Sequence, residues 1–206
     1  MTGSAQHQLA KWLSFILDPV LSLYCTHCIS DSFSFVESLR TSGLTSSSTF
    51  ICSFDVTSLF TNVPLLETID ICADALYNGN LTSPSFSREV FVELMKTATC
   101  SVEFSFNNVM YRQIDGVAMG SPLGPALANI FVGYYETLLF KNVKKPLLYH
   151  RYVEDTFVVF DNERDCDEFL TSLNSLHRSL CFTFEKSVMV PFPFLMFLSR
   201  NEGQNF

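Results

Sequence analysis

Two short β-forming runs, Leu147–Val153 and Thr156–Phe160, are separated in the string YHRYVEDTFVVF only by Glu154 and Asp155. Runs of this length broken by two polar residues read as a β-hairpin. The chain must therefore build an antiparallel pair and carry two adjacent carboxylates at its turn. Taken alone, an acidic pair at a turn is ordinary. Asp55 changes its meaning, because it too stands where an apolar strand, Phe50–Phe54, ends. Strand ends of one sheet can bring side chains remote in sequence to a common edge, and carboxylates gathered there repel unless a cation neutralises them. Magnesium suits such a place, since it takes one or two protein carboxylates, water and phosphate oxygens.

The rest of the chain gives this pair a setting. Leu9, Trp12, Leu13, Ile16 and Val20 recur at helical spacing, in a helix that Pro19 bends or ends. A short helix over 31–41 stops near Gly43. Pro64 opens a helix with Leu66, Ile69, Cys72, Ala73 and Leu76 on one face, closed by Asn78-Gly79-Asn80, and another helix covers 87–97. Val102, Phe104 and Phe106, a turn at Asn107-Asn108, then Val109 and Tyr111 read as a hairpin. The loop DGVAMGS leads into a long helix with Ser121 as N-cap and Pro122 in its first position. Phe169, Leu173, Leu176 and Leu180 make a helical stripe, and 181–184 and 192–198 read as closing strands. Strands and helices mix without regular βαβ alternation, which points to an α+β domain, an antiparallel sheet with helices packed on one face.

Composition narrows the function. Among 206 residues, 13 Lys and Arg stand against 21 Asp and Glu, a formal net charge of -8. A free-standing nucleic-acid binder is normally basic, because phosphate contacts supply most of its affinity. Any nucleic acid handled here is gripped by other parts or met at an acidic site screened by metal ions. The seven cysteines are odd in number and scattered through apolar segments, which suits a reducing compartment. The single Cys25-Thr-His-Cys28 spacing has no second pair and reads as chance. No signal peptide or membrane-spanning run is evident, and the 21 phenylalanines lie mostly in periodic segments as packing material.

FDVTSLFTNVP, DGVAMGSPLGPALANIF and YHRYVEDTFVVF, in this order and at these intervals, resemble motifs A, B and C of reverse transcriptases, and most closely those of Penelope-like retroelements. QHQLAKWLSFILDPVL resembles the segment before motif A in that group, CFTFEKS its motif D region and FPFLMFLSR the strand after it. The resemblance implies a polymerase palm with partial fingers and no thumb: residues 1–49 as a remnant of fingers and helical lead-in, residues 50–206 as the palm. Fingers would precede Met1 and a thumb would follow Phe206, with no endonuclease segment, so the chain reads as a truncated palm whose basic clamps lie elsewhere. Other palm-type nucleotidyltransferases, such as cyclases, do not need motif B.

The same resemblance assigns roles. Asp55, Glu154 and Asp155 become catalytic carboxylates holding two Mg²⁺ (or Mn²⁺), with the Val56 carbonyl as a further metal ligand. Phe60 takes the place of the bulky residue that excludes a 2′-hydroxyl, and Met119, Gly120, Ser121 and Pro122 lie beside the incoming nucleotide and template; core packing is the alternative for Phe60 and Met119. Lys186 falls near the family's proton donor to pyrophosphate, or is an exposed lysine at a strand end. RNA template, DNA primer and dNTP are the implied partners, without a membrane, and the nucleus is the implied compartment. Two departures stand out: Glu154 replaces the first aspartate of the motif C pair, and Met196 replaces an aspartate of the later strand. A catalytically silent retroelement fragment or a partner-binding module is therefore the alternative.

Overall fold

The computed structural model describes residues 5–44, 49–100 and 102–185, and they form two compact units. The first comprises the described residues within 1–26, 58–141 and 177–180, the second those within 27–57, 142–176 and 181–206.

The first unit is mostly helical: α1 (Ala5–Tyr24), α3 (Leu59–Asn62), α4 (Leu65–Tyr77), α5 (Arg88–Thr99) and α6 (Gly124–Asn142), with a hairpin of β2 (Glu103–Phe106) and β3 (Val109–Arg112). Helix α1 buries Ala10, Leu13, Leu17 and Val20 and continues past Pro19. A proline in a helix interior costs about 3 kcal/mol, and the buried face on both sides of it outweighs that loss. Ser87 caps α5 by accepting from the Val90 N–H. Asn107 and Asn108 turn the hairpin with φ of 50° and 61°, the paired left-handed conformation that favours asparagine in two-residue turns. Helix α6 begins at Gly124 rather than at Pro122 with Ser121 as its N-cap. Ser121 instead closes a preceding turn, its Oγ accepting from Leu123 N–H at 3.3 Å, and Pro125, which has no N–H to donate, occupies the first helical turn.

The second unit holds the four-stranded sheet, in the order β4 (Leu148–Tyr152), β5 (Asp155–Phe160), β1 (Phe50–Val56), β6 (Phe182–Glu185), antiparallel throughout. Helices α2 (Ser32–Thr41) and α7 (Glu163–Asn174) accompany it. Strand alternation sorts the side chains. Phe54, Tyr149 and Phe160 stack around Phe169 of α7 with ring centroids 5.4 to 6.4 Å apart. The other parity of β5 turns Phe157 and Val159 towards Phe35 of α2, so α2 covers part of the face opposite α7. The architecture is the α+β class with an antiparallel sheet that the element order implied. Residues 192–198 and Lys186 lie outside the described residues.

Candidate active site

The sheet register decides what the acidic residues can do. Strands β1 and β5 pair so that Asp55 stands directly opposite Asp155. The neighbouring position fixes the type of pair: the Val56 N–H donates to the Glu154 carbonyl at 3.1 Å, so Asp55 and Asp155 occupy the adjacent non-hydrogen-bonded site, where facing side chains approach most closely. Their Cβ atoms are then about 4.5–5.5 Å apart. Both carboxylates share the face opposite α7, at the end of central strand β1.

The hairpin that carries Asp155 differs by one residue from the sequence-based reading. The turn is Val153-Glu154, and Asp155 is already the first residue of β5, paired with Tyr152. Val153 adopts φ 56°, a left-handed conformation that is uncommon for a β-branched residue and strained. Arg151 holds that turn. Its side chain is fully buried, and its Nη1 donates to the Val153 carbonyl at 3.0 Å. The backbone of Arg151 is engaged as well, donating to His27 O and accepting from Ile29 N–H, each at 2.9 Å.

Thr156, also fully buried, fixes the register beside the acidic pair. Its Oγ1 accepts from Phe54 N–H at 3.1 Å and donates to Phe54 O at 3.0 Å. A slip of one residue would turn Asp55 and Asp155 to opposite faces. Neither Arg151 nor Thr156 stands out in the sequence, where the two carboxylates between them carry the signal.

The facing carboxylates offer an all-oxygen donor set, the kind that Mg²⁺ and Mn²⁺ prefer over soft metals. Among the described residues, no group of three His, Cys, Asp or Glu side chains stands close enough to hold an ion. The close pair is therefore Asp55 with Asp155, and Glu154 lies in the turn beside it, half-buried.

The remaining predicted residues belong to the first unit. Phe60 sits in α3, a single helical turn that the periodicity did not reveal, half-buried, and its carbonyl accepts from Val117 N–H at 2.7 Å. Met119 is 73% exposed. A Cβ built on Gly120 would meet no atom within 4 Å, so this glycine borders open space rather than a tight backbone approach. Gly116 is the crowded one: with φ +81°, its Cβ would lie 2.8 Å from Thr61 O and 2.9 Å from Phe60 O. Ser121 and Pro122 lie half-buried in the turn before α6. No helix of the described residues is long and apolar enough to cross a membrane.

Comparison with known proteins places this geometry. The family model described as "Reverse transcriptase (RNA-dependent DNA polymerase)" matches residues 6–195. Among solved structures, a Candida albicans telomerase in complex with a TWJ fragment of telomeric RNA is similar with a TM-score of 0.60 at 15% identity, over 89% of this chain and 35% of that chain. A Candida tropicalis telomerase with the same kind of RNA fragment gives 0.63 at 12%, over 87% and 34%. The RNA-dependent RNA polymerase of BmCPV in its elongation state gives 0.58 at 12%, over 88% and 18%. The chain thus spans about a third of the telomerase chains and under a fifth of the viral one. At these identities the likeness is one of fold. A comparison with curated proteins finds no match. Since the family model spans nearly the whole sequence, from a helix of the first unit to beyond the last described strand of the sheet, the chain belongs to the reverse transcriptase family.

Proposed function

We propose that the chain is the palm region of an RNA-directed DNA polymerase of the Penelope-like kind, transferring dNMP from a dNTP to the 3′-hydroxyl of a primer paired to RNA. The observation that carries this reading is the Asp55 and Asp155 register pair at the end of the central strand. These two carboxylates, with the Val56 carbonyl and Glu154 beside them, would hold two Mg²⁺ or Mn²⁺. Such ions supply Lewis-acid stabilisation of the attacking and leaving oxygens. The protein's share is positioning: β1 is hydrogen-bonded on both sides, so Asp55 projects from a rigid element. By the family resemblance, Phe60 would exclude a ribonucleotide's 2′-hydroxyl, and Met119, Gly120, Ser121 and Pro122 would lie beside the incoming nucleotide and template; Met119 is exposed and Gly120 borders open space. Lys186 remains the proposed proton donor to pyrophosphate. The Penelope-like assignment rests on the motif strings and on the segments flanking them, and it brings with it a nuclear location, a finger-derived lead-in over residues 1–49 and a palm over residues 50–206.

A second reading has its own support: Glu154 stands where the family has aspartate, one methylene longer, which favours a catalytically silent retroelement fragment or a partner-binding module. Primer extension on an oligo(dT)-primed poly(rA) template with Mg²⁺ or Mn²⁺ separates the two. A misplacement of ~1 Å costs on the order of a hundredfold in rate, so weak Mn²⁺-dependent extension is expected from the wild type, a rise of roughly ten- to a hundredfold from Glu154→Asp, and none from Asp155→Asn. If neither the wild type nor Glu154→Asp extends, and Asp155→Asn binds Mn²⁺ as well as the wild type does, the silent reading stands.

A further inference from the structure

The loop between β3 and α6 is fastened to the segment after β1 by contacts within the first unit. Val117 N–H donates to the Phe60 carbonyl at 2.7 Å. Gly116 packs so closely against Phe60 and Thr61 that no Cβ fits. Asp115 completes the arrangement: its Oδ1 accepts from Gly116 N–H at 2.8 Å and from Leu65 N–H at 3.0 Å. Leu65 is the first residue of α4, and the residue before it, Pro64, makes no side-chain cap. A helix N-terminus leaves unpaired N–H groups and a partial positive charge, and here a carboxylate 50 positions away in sequence serves as the cap. Gln113 braces it, its Nε2 donating to the Asp115 carbonyl at 2.9 Å.

The short helix α3 is anchored by the buried Leu59 and followed by the buried Val63. It is four residues long, and its N-cap residue Ser58 adopts a left-handed φ of 51° without capping through its side chain. The path of Phe60 is thus set by its neighbours: Val63 and α4 on one side, the clamp of Asp115, Gly116 and Val117 on the other. We propose that Asp115 is a positioning residue that locks this loop against Phe60 and so sets the discrimination between deoxyribonucleotides and ribonucleotides. This role rests on the polymerase reading above.

The experiment compares the 206-residue wild type with Asp115→Asn, Asp115→Ala, Gly116→Ala and Ser83→Ala. Two measurements are made: the kcat/KM ratio for dTTP over UTP on primed poly(rA) with Mn²⁺, and hydrogen exchange of the Leu65, Gly116 and Val117 amides. Asparagine keeps the Oδ1 acceptor, so Asp115→Asn should hold the ratio within about twofold. Asp115→Ala and Gly116→Ala should lower it roughly tenfold, chiefly through KM for UTP, given how steeply rate falls with misplacement, and should speed exchange at Val117. Ser83→Ala removes a 2.8 Å bond from Ser83 Oγ to Leu76 O near the far end of α4; it should lower stability and leave the ratio alone. If Asp115→Ala destabilises as Ser83→Ala does but keeps the wild-type ratio, the specificity role is overturned. If only Glu154→Asp extends the primer, the ratio is read in that background; if neither it nor the wild type incorporates a nucleotide, the polymerase reading falls and the specificity role with it, the clamp is then judged on exchange alone, and unchanged Val117 protection in Asp115→Ala overturns it.

Discussion

Arg151→Ala should be among the most damaging single changes in the sheet unit. The guanidinium is fully buried and donates a charged hydrogen bond to the carbonyl of Val153, a residue held at φ 56°. A hydrogen bond to a charged group contributes about 1.5–3 kcal/mol, and truncating a large buried side chain to alanine costs about 2–5 kcal/mol through lost packing and the cavity left behind. The two overlap, because the same atoms are deleted, so the expected loss is about 3–5 kcal/mol. The backbone bonds of Arg151 to His27 and Ile29 survive the change and keep the loss from growing larger. For a chain of this length each kcal/mol moves Tm by about 2–4 °C, which predicts a fall of roughly 6–20 °C by circular dichroism. Arg151→Lys should fall between, since an ammonium keeps the charge but loses the planar fork. If Arg151→Ala melts within 2 °C of the wild type, the guanidinium does not hold the turn and the account of the hairpin is wrong.

Other expectations follow from single contacts. Gly133→Ala in α6 gains about 1 kcal/mol in helix propensity, yet its Cβ would lie 2.5 Å from the Tyr24 carbonyl oxygen of α1; overpacking against backbone costs about 1–3 kcal/mol, so urea melts should show a net loss. His150 lies against Phe35, with Ser38 Oγ 2.6 Å from its Nε2, and burial, then the nearby charge of His27, holds its pKa below the ordinary 6.5. The unfolded chain takes up that proton first, so the contribution is intact above pH 6.5 and lost as pH falls from 6.5 towards the folded value. Tm measured from pH 8 to pH 5 should drop more for the wild type than for His150→Gln, and parallel curves would refute the assignment.

The parts of this molecule that could be read from sequence are those where periodicity and chemistry agree locally. The Asn107-Asn108 turn, the helix over 87–97 and the strand ending at Asp55 each depend on a few adjacent residues, and each falls at or within a residue or two of its expected place. The failures occur where distant residues override a local rule. Pro19 argues for a bend or an end, and α1 does not end there, because its apolar face continues to Val20. The hairpin reads as turning at its two acidic residues, because nothing in the composition advertises a valine in the left-handed region; the buried Arg151 makes that conformation affordable and shifts Asp155 into the ladder opposite Asp55. Asp115 was invisible for the same reason: as a loop aspartate before glycine it looks like a turn residue, and only the fold brings it to the uncapped start of α4. The carboxylates, in short, could be found from their own residue types, whereas the groups that hold their hairpin and its register, Arg151 and Thr156, act through partners that no local spacing encodes. Acidic pairs of this kind are therefore easier to find in a sequence than to place, since their placement resides in contacts made across the sheet.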